Sequence, residues 1–230
     1  MDWLPLPSSD VEFAFRNSRY VVLHEVLPIK VLRAWRTRAV ALATRFALTI
    51  SRGAGGDRLQ YRVVTGDIIQ KHWPEFFQFY TGKQTREWIQ AVTGEPQIFN
   101  SVNLRSALNI NFLEQPGDAY RWHFDAVAYT LILFLADLQT DDGGELEFYP
   151  GCNAWTPPAT DTRVQSVRVP CRAGTLVLMD GTRCYHRVAP IRRPCCRITV
   201  PMVFPNVIED QRPDALDSYL YDESEPSAAA

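Results

Sequence analysis

Apolar residues along this chain keep a helical period in its first hundred residues and a strand period after that. Over residues 29–50, Val31, Leu32, Trp35, Ala39, Leu42, Ala43 and Phe46 recur three or four apart with Lys and Arg between them, which predicts an amphipathic helix. Residues 71–80 and 84–93 repeat the pattern and offer Trp73, Phe76, Phe77, Tyr80, Trp88, Ile89 and Val92 to a core. Ahead of them, a Pro-rich lead-in gives way to residues 18–27 (SRYVVLHEVL), a β-branched run that predicts a strand closing at Pro28. Residues 51–57 (SRGAGGD) read as a flexible turn, and residues 59–64 as a loop or short strand. Residues 1–96 are thus expected to form a mainly helical layer.

From Gln97 the alternation becomes that of strands, predicted over residues 97–103, 106–114, 120–125, 129–136, 145–149, 164–169, 175–179 and 197–204. Turn residues separate them at Pro116-Gly117-Asp118, Asp142-Gly143-Gly144, Pro150-Gly151, Ala173-Gly174 and Asp180-Gly181. Short strands punctuated so regularly imply a jelly roll or barrel-like sandwich, with the helices covering one sheet. The expected fold class is α+β: a jelly-roll core at 97–205 buttressed by N-terminal helices, with an acidic tail at 206–230, loose at its end, in one domain spanning 1–230.

Charge changes this picture little. Lys plus Arg number 24 against 26 for Asp plus Glu, so no basic block advertises nucleic acid as a partner. The start, Met1-Asp2-Trp3-Leu4-Pro5, lacks a basic region followed by an apolar run, and no apolar stretch is long enough to span a bilayer. A cytoplasmic protein with a small-molecule partner is expected; nothing in the sequence sets an oligomeric state. The 5 cysteines (Cys152, Cys171, Cys184, Cys195, Cys196) include no C-x-x-C pair, so they are expected to act as small hydrophobes in a reduced protein. Even the vicinal Cys195-Cys196 pair fits packing better than a strained disulfide, since strand alternation sends the two side chains to opposite faces.

Candidate chemistry centres on Trp122-His123-Phe124-Asp125. In a strand, His123 and Asp125 share one face while Trp122 and Phe124 pack on the other. His186, after the Asp180-Gly181 turn, is the natural third ligand; His24 has no partner at ligand spacing, and His72 beside Trp73-Pro74 reads as a helix-start residue. Two imidazoles and one carboxylate leave coordination positions open, an arrangement suited to Fe(II) and oxygen chemistry, although zinc can bind the same groups. Arg197 lies between Cys196 and Ile198 in a strand. A guanidinium there is costly to bury without an anion, and Thr199 on the same face can add a hydroxyl to its grip on a carboxylate. Asn109 and Asn111 share a face of their strand, and Asn109 is a candidate to hydrogen-bond a ligand bound beside the metal. Arg62, Arg121 and Asn111 are candidates for substrate contacts.

Together, the pieces Trp122-His123-Phe124-Asp125, Gly143-Gly144-Glu145-Leu146, Ala173 to Leu178, His186-Arg187-Val188-Ala189-Pro190 and Arg197-x-Thr199 resemble in order and spacing the Fe(II)- and 2-oxoglutarate-dependent oxygenases. The likeness covers roughly residues 97–205. It implies a double-stranded β-helix, iron held by His123, Asp125 and His186, and 2-oxoglutarate held through its distal carboxylate by Arg197 and Thr199. It further implies oxidation of an unactivated C–H bond with O2, giving succinate and CO2. Within that superfamily the chain looks most like the small free-standing hydroxylases of free amino acids and their halogenase relatives. The halogenases replace the carboxylate ligand with a halide, so the presence of Asp125 implies hydroxylation, desaturation or ring closure instead. The alternatives are a protein side chain or a secondary metabolite as substrate, or an inactive jelly-roll binding module, which the complete ligand set argues against.

Overall fold

The computed structural model describes residues 3–52, 59–150 and 165–208. Gly53 to Asp57 of the expected turn, Cys152, Val164 and the tail from Glu209 lie outside the described residues. In chain order the elements are α1 (Ser9–Ser18), β1 (Tyr20–Leu23), α2 (Ile29–Phe46), β2 (Leu48–Arg52), β3 (Leu59–Val64), α3 (Gly66–His72), α4 (Pro74–Thr81), α5 (Lys83–Thr93), α6 (Leu104–Ala107), β4 (Ile110–Leu113), β5 (Tyr120–His123), β6 (Tyr129–Phe134), β7 (Leu146–Phe148), β8 (Val167–Val169), β9 (Leu176–Asp180), β10 (His186–Val188) and β11 (Arg197–Phe204). None of these helices is long and apolar enough to cross a membrane.

The strands form a 7-stranded sheet in the order β1-β9-β6-β11-β4-β3-β2 and a 4-stranded sheet in the order β5-β10-β7-β8, the two walls of an antiparallel double-stranded β-helix. Strand β11 is the spine of the larger sheet, paired to β4 over Arg197–Thr199 and to β6 over Thr199–Phe204. Its alternation divides the interior in two. Ile198, Val200, Met202 and Phe204 face the helices in one apolar cluster with Trp35, Phe76, Tyr80 and Trp88. The opposite face meets the smaller sheet, where Phe134, Val177 and Met179 pack against Leu146 and Phe148, and Val63 and Leu113 against Val188 and Ile191. The α+β jelly roll buttressed by helices is therefore the observed architecture.

Several local expectations shift. The first 96 residues contribute β1, β2 and β3 to the larger sheet, so they are not simply a helical layer. The lead-in holds α1, capped by Ser8 with Asp10 and Glu12 in its first turn and closed by Arg19 at φ 62; the capping signal outweighs the sparse apolar pattern. The helix expected to reach residue 50 stops at Phe46, and β-branched Thr49 and Ile50 pair with β3 instead. No strand forms over residues 97–103. The Phe99 N–H donates to the Pro205 carbonyl and the Ser101 N–H to the Tyr80 hydroxyl, so this connector satisfies its backbone off the ladder. Strand β10, unseen in the periodicity, has only three residues.

Candidate metal centre

His123 ends β5 and His186 begins β10, and the two stand opposite each other as register partners of neighbouring strands. Asp125 follows two residues after His123, its N–H donating to the Gly181 carbonyl at 2.8 Å. One ligating atom from each of the three lies within 4.8 Å of the others. Asp125 Oδ1 is 3.4 Å from His123 Nε2 and 3.6 Å from His186 Nε2. Donors about 2.1 Å from one metal and at right angles to each other stand about 3 Å apart, so the carboxylate oxygen already stands near ligand spacing from each imidazole. The side chain of His186 is 5% exposed and that of His123 41%, which puts the mouth of the site on the His123 side.

Backbone carbonyls orient both imidazoles. His123 Nδ1 lies 2.7 Å from the Arg121 oxygen and His186 Nδ1 2.9 Å from the Cys184 oxygen. A carbonyl only accepts, so each Nδ1 carries the proton and each Nε2 keeps a lone pair for a metal. Burial and the charge of His123 push the pKa of His186 down to about 4. Burial alone would lower that of His123 as well, but hydrogen bonding and attraction to Asp125 raise it above its ordinary value. Burial by itself would raise Asp125; the charge of His186 and, when the His123 ring is protonated on both nitrogens, a hydrogen bond from its Nε2 outweigh it and hold the carboxyl well below the usual range. The neutral imidazole and the carboxylate are the forms that bind a metal.

Arg197 is 2% exposed. Its Nε donates to the Gly144 carbonyl at 2.8 Å, its Nη1 to Thr199 Oγ1 at 3.1 Å, and its guanidinium sits 5.4 Å from the centroid of Phe134. Among the described residues no carboxylate pairs with it, and burial lowers its pKa. Gly144 allows this approach: at φ 74, a Cβ there would stand 2.8 Å from Ile191 and 3.1 Å from Arg197 Cδ. Asn111 is in register with Thr199 on the interior face, and its Oδ1 is buried without a hydrogen-bond partner. Asn109, on the same face, bonds through its backbone N–H to the Pro201 carbonyl. Three nitrogen and oxygen donors around one point and a buried cation lacking an acid fit a divalent iron and an anionic co-substrate.

Not every expected residue reaches this interior. Arg62 is a correction: it faces the helices, where it pairs with Glu114 at 3.0 Å, donates to the Ala43 carbonyl at 3.0 Å and lies over Phe112. Strand alternation places its neighbours Tyr61 and Val63 inward and Arg62 outward. Arg121 is exposed, and its contact with the site is through its carbonyl. His72 ends α3 and stacks on Phe46 at 4.4 Å rather than starting a helix. Cys171, Cys184, Cys195 and Cys196 are free thiols; Cys195 packs between the sheets and Cys196 toward the helices. Two residues at the metal centre carry no ligand signature in the sequence: Thr130, and Gly181, which reads only as a turn residue. An aliphatic hydroxyl in the apolar run Thr130 to Phe134 is the available signal for Thr130, since buried hydroxyls need partners; a turn glycine carries none.

Several solved structures share this fold. SnoN, a non-heme alpha ketoglutarate dependent epimerase from nogalamycin biosynthesis, is 18% identical over 96% of this chain and 90% of its own, with a TM-score of 0.70. SnoK, a carbocyclase of the same biosynthesis, is 20% identical over 96% of this chain and 94% of its own, with a TM-score of 0.68. HygX from Streptomyces hygroscopicus, solved with nickel, 2-oxoglutarate and hygromycin B bound, is 12% identical over 90% of this chain and 92% of its own, with a TM-score of 0.68. No curated protein matches in sequence. The family model HalD, Halogenase D, matches residues 8–218. A match of that extent, on a double-stranded β-helix carrying two histidines and one carboxylate at a common point, makes the chain a member of the HalD family within the Fe(II)/2-oxoglutarate-dependent oxygenases.

Proposed function

We propose that this enzyme hydroxylates, or otherwise oxidises by the same route, an unactivated C–H bond of a free amino acid. The observation that carries the choice of outcome is Asp125: a carboxylate stands at the third ligand position, beside His123 Nε2 and His186 Nε2, where a halogenating relative would need room for a halide. With Fe(II) held by His123, Asp125 and His186, the metal would supply activation of O2, which is the oxidant: two electrons come from 2-oxoglutarate as it becomes succinate and CO2, and two from the substrate C–H bond.

The chain's own part is binding, orientation and exclusion of water. Arg197 offers its fork, and Thr199 its hydroxyl, to the distal carboxylate of 2-oxoglutarate. Supporting this assignment, Arg197 is fully buried yet has no acid among the described residues. The register of Asn111 with Thr199 favours Asn111 over Asn109 as the amide beside the co-substrate, leaving Asn109 to the substrate. Arg121, exposed two residues before His123, is the cation assigned to a substrate carboxylate now that Arg62 is committed to Glu114. The apolar walls of the jelly roll keep water from the reacting centre.

A second candidate substrate is a secondary metabolite. It is favoured by the structural neighbours SnoN and SnoK, both from nogalamycin biosynthesis, and by HygX with its bound hygromycin B. An anaerobic titration with Fe(II) and 2-oxoglutarate, read by its visible charge-transfer band, followed by oxygen and a mass-spectrometric panel of free amino acids, separates these outcomes. Absence of the band overturns the oxygenase function. A band without turnover of any amino acid keeps the cofactors and discards the amino-acid substrate.

A further inference from the structure

Asp125 has two carboxylate oxygens, and the protein treats them differently. Oδ1 faces the two histidine Nε2 atoms at 3.4 and 3.6 Å. Oδ2 turns away and accepts a hydrogen bond from Thr130 Oγ1 at 2.5 Å. Thr130 is 3% exposed and stands in β6 between Met179 of β9 and Val203 of β11, so its hydroxyl is held by a sheet paired on both sides.

Gly181, at the end of β9, closes the other side. A Cβ built there would stand 2.6 Å from Asp125 Oδ2, 2.7 Å from Asp125 Cβ and 3.0 Å from Asp125 Cγ. Real side chains do not approach so closely, so the glycine is required for space. The Asp125 N–H donates to the Gly181 carbonyl and the Gly181 N–H to the Ala128 carbonyl, each at 2.8 Å, which ties the ligand's backbone to the same strand end.

We propose that Thr130 and Gly181 are a positioning pair that commits Asp125 Oδ2 to the protein and leaves Oδ1 as the single metal-facing oxygen, an inference that rests on the iron assignment of His123, Asp125 and His186. A carboxylate free to turn can ligate through one oxygen or both. With Oδ2 occupied by a hydroxyl and backed by a glycine, Asp125 contributes one donor, so the coordination position a second oxygen would take stays available to the co-substrate and oxygen. The hydroxyl also fixes the carboxylate's rotation before any metal arrives, which lowers the ordering cost of binding.

Anaerobic Co(II) titration of the full chain tests this, read by affinity and by the visible d–d spectrum that reports coordination number. Thr130→Val keeps shape and removes the hydroxyl; it is expected to weaken Co(II) binding by about 10- to 100-fold and to alter the d–d band. Thr130→Ser restores the donor and is expected to recover the wild-type spectrum with affinity within about threefold, and Gly181→Ala to weaken binding as Thr130→Val does. Circular dichroism of each apo variant identifies any that fails to fold, and Thr130→Ala replaces Thr130→Val in that case. The pair is overturned if the folded hydroxyl-less variant binds Co(II) with wild-type affinity and spectrum, or if Thr130→Ser is as impaired as Thr130→Val. If the wild-type protein itself binds no Co(II), the iron assignment fails first and takes the pair with it.

Discussion

At the scale of single residues, the site separates groups that titrate usefully from groups that do not. Asp125→Gly removes the only carboxylate of the triad and should lower metal affinity about 100-fold or more, above the usual cost of losing an outer contact. Oxygenase turnover should fall with it, and full activity in that variant would contradict Asp125 as a ligand. Arg197→Met removes a buried cation that finds no acid among the described residues. The loss of a charge-assisted fork should weaken 2-oxoglutarate binding by at least about 2 kcal/mol, roughly 30-fold, seen as loss of the charge-transfer band at the same co-substrate concentration, while the apo protein melts no lower than wild type because the desolvation cost of the guanidinium is gone. Cys171 and Cys184 have their thiols pushed up to about 12 by burial. At pH 8 both remain protonated, so neither should be alkylated in the native protein, and mass spectrometry after brief iodoacetamide treatment checks this.

At the scale of elements, the connector between α5 and α6 shows how helices and sheet are tied together. The Tyr80 hydroxyl at the end of α4 accepts from the Ser101 N–H and donates to the Val203 carbonyl of β11. Tyr80→Phe leaves two backbone groups without that partner and should cost about 1–3 kcal/mol, measurable as a lower denaturant midpoint with an unchanged slope. Strand β7 makes a comparable link across the smaller sheet, where buried Glu147 pairs with Arg187 of β10 at 2.6 Å and Arg168 of β8 at 2.9 Å. Elements of this kind escape sequence patterning for a physical reason. Strand β10 is three residues long and sits between the turn after β9 and Pro190, with His186 and Arg187 in place of a β-branched run, and β2 follows directly on α2 with no glycine or proline to mark the change. The helices α2 and α5 were legible because one face of each is buried along its length, and β6 and β11 because nearly every position is buried, which leaves continuous apolar runs between turn residues.

At the scale of the whole molecule, ligands that bind only the folded chain add to its stability by mass action. Co(II) with 2-oxoglutarate, each at about a hundred times its dissociation constant, should stabilise by roughly 2.7 kcal/mol per site, or some 5–10 °C in Tm for one site in a domain this size; no shift with either would speak against a metal and co-substrate bound between the sheets. The fold class, the identity of His123, Asp125 and His186 as one ligand set, and the oddity of Arg197 in an apolar strand were all determined by sequence, because ligand chemistry and burial penalties belong to residue types and their spacing. The facing of Arg62 toward Glu114, the register of Asn111 with Thr199, and the grip of Thr130 and Gly181 on Asp125 were decided only by tertiary structure. Each depends on which strands lie side by side, and strand order across a sheet is set by long-range packing that local periodicity does not encode.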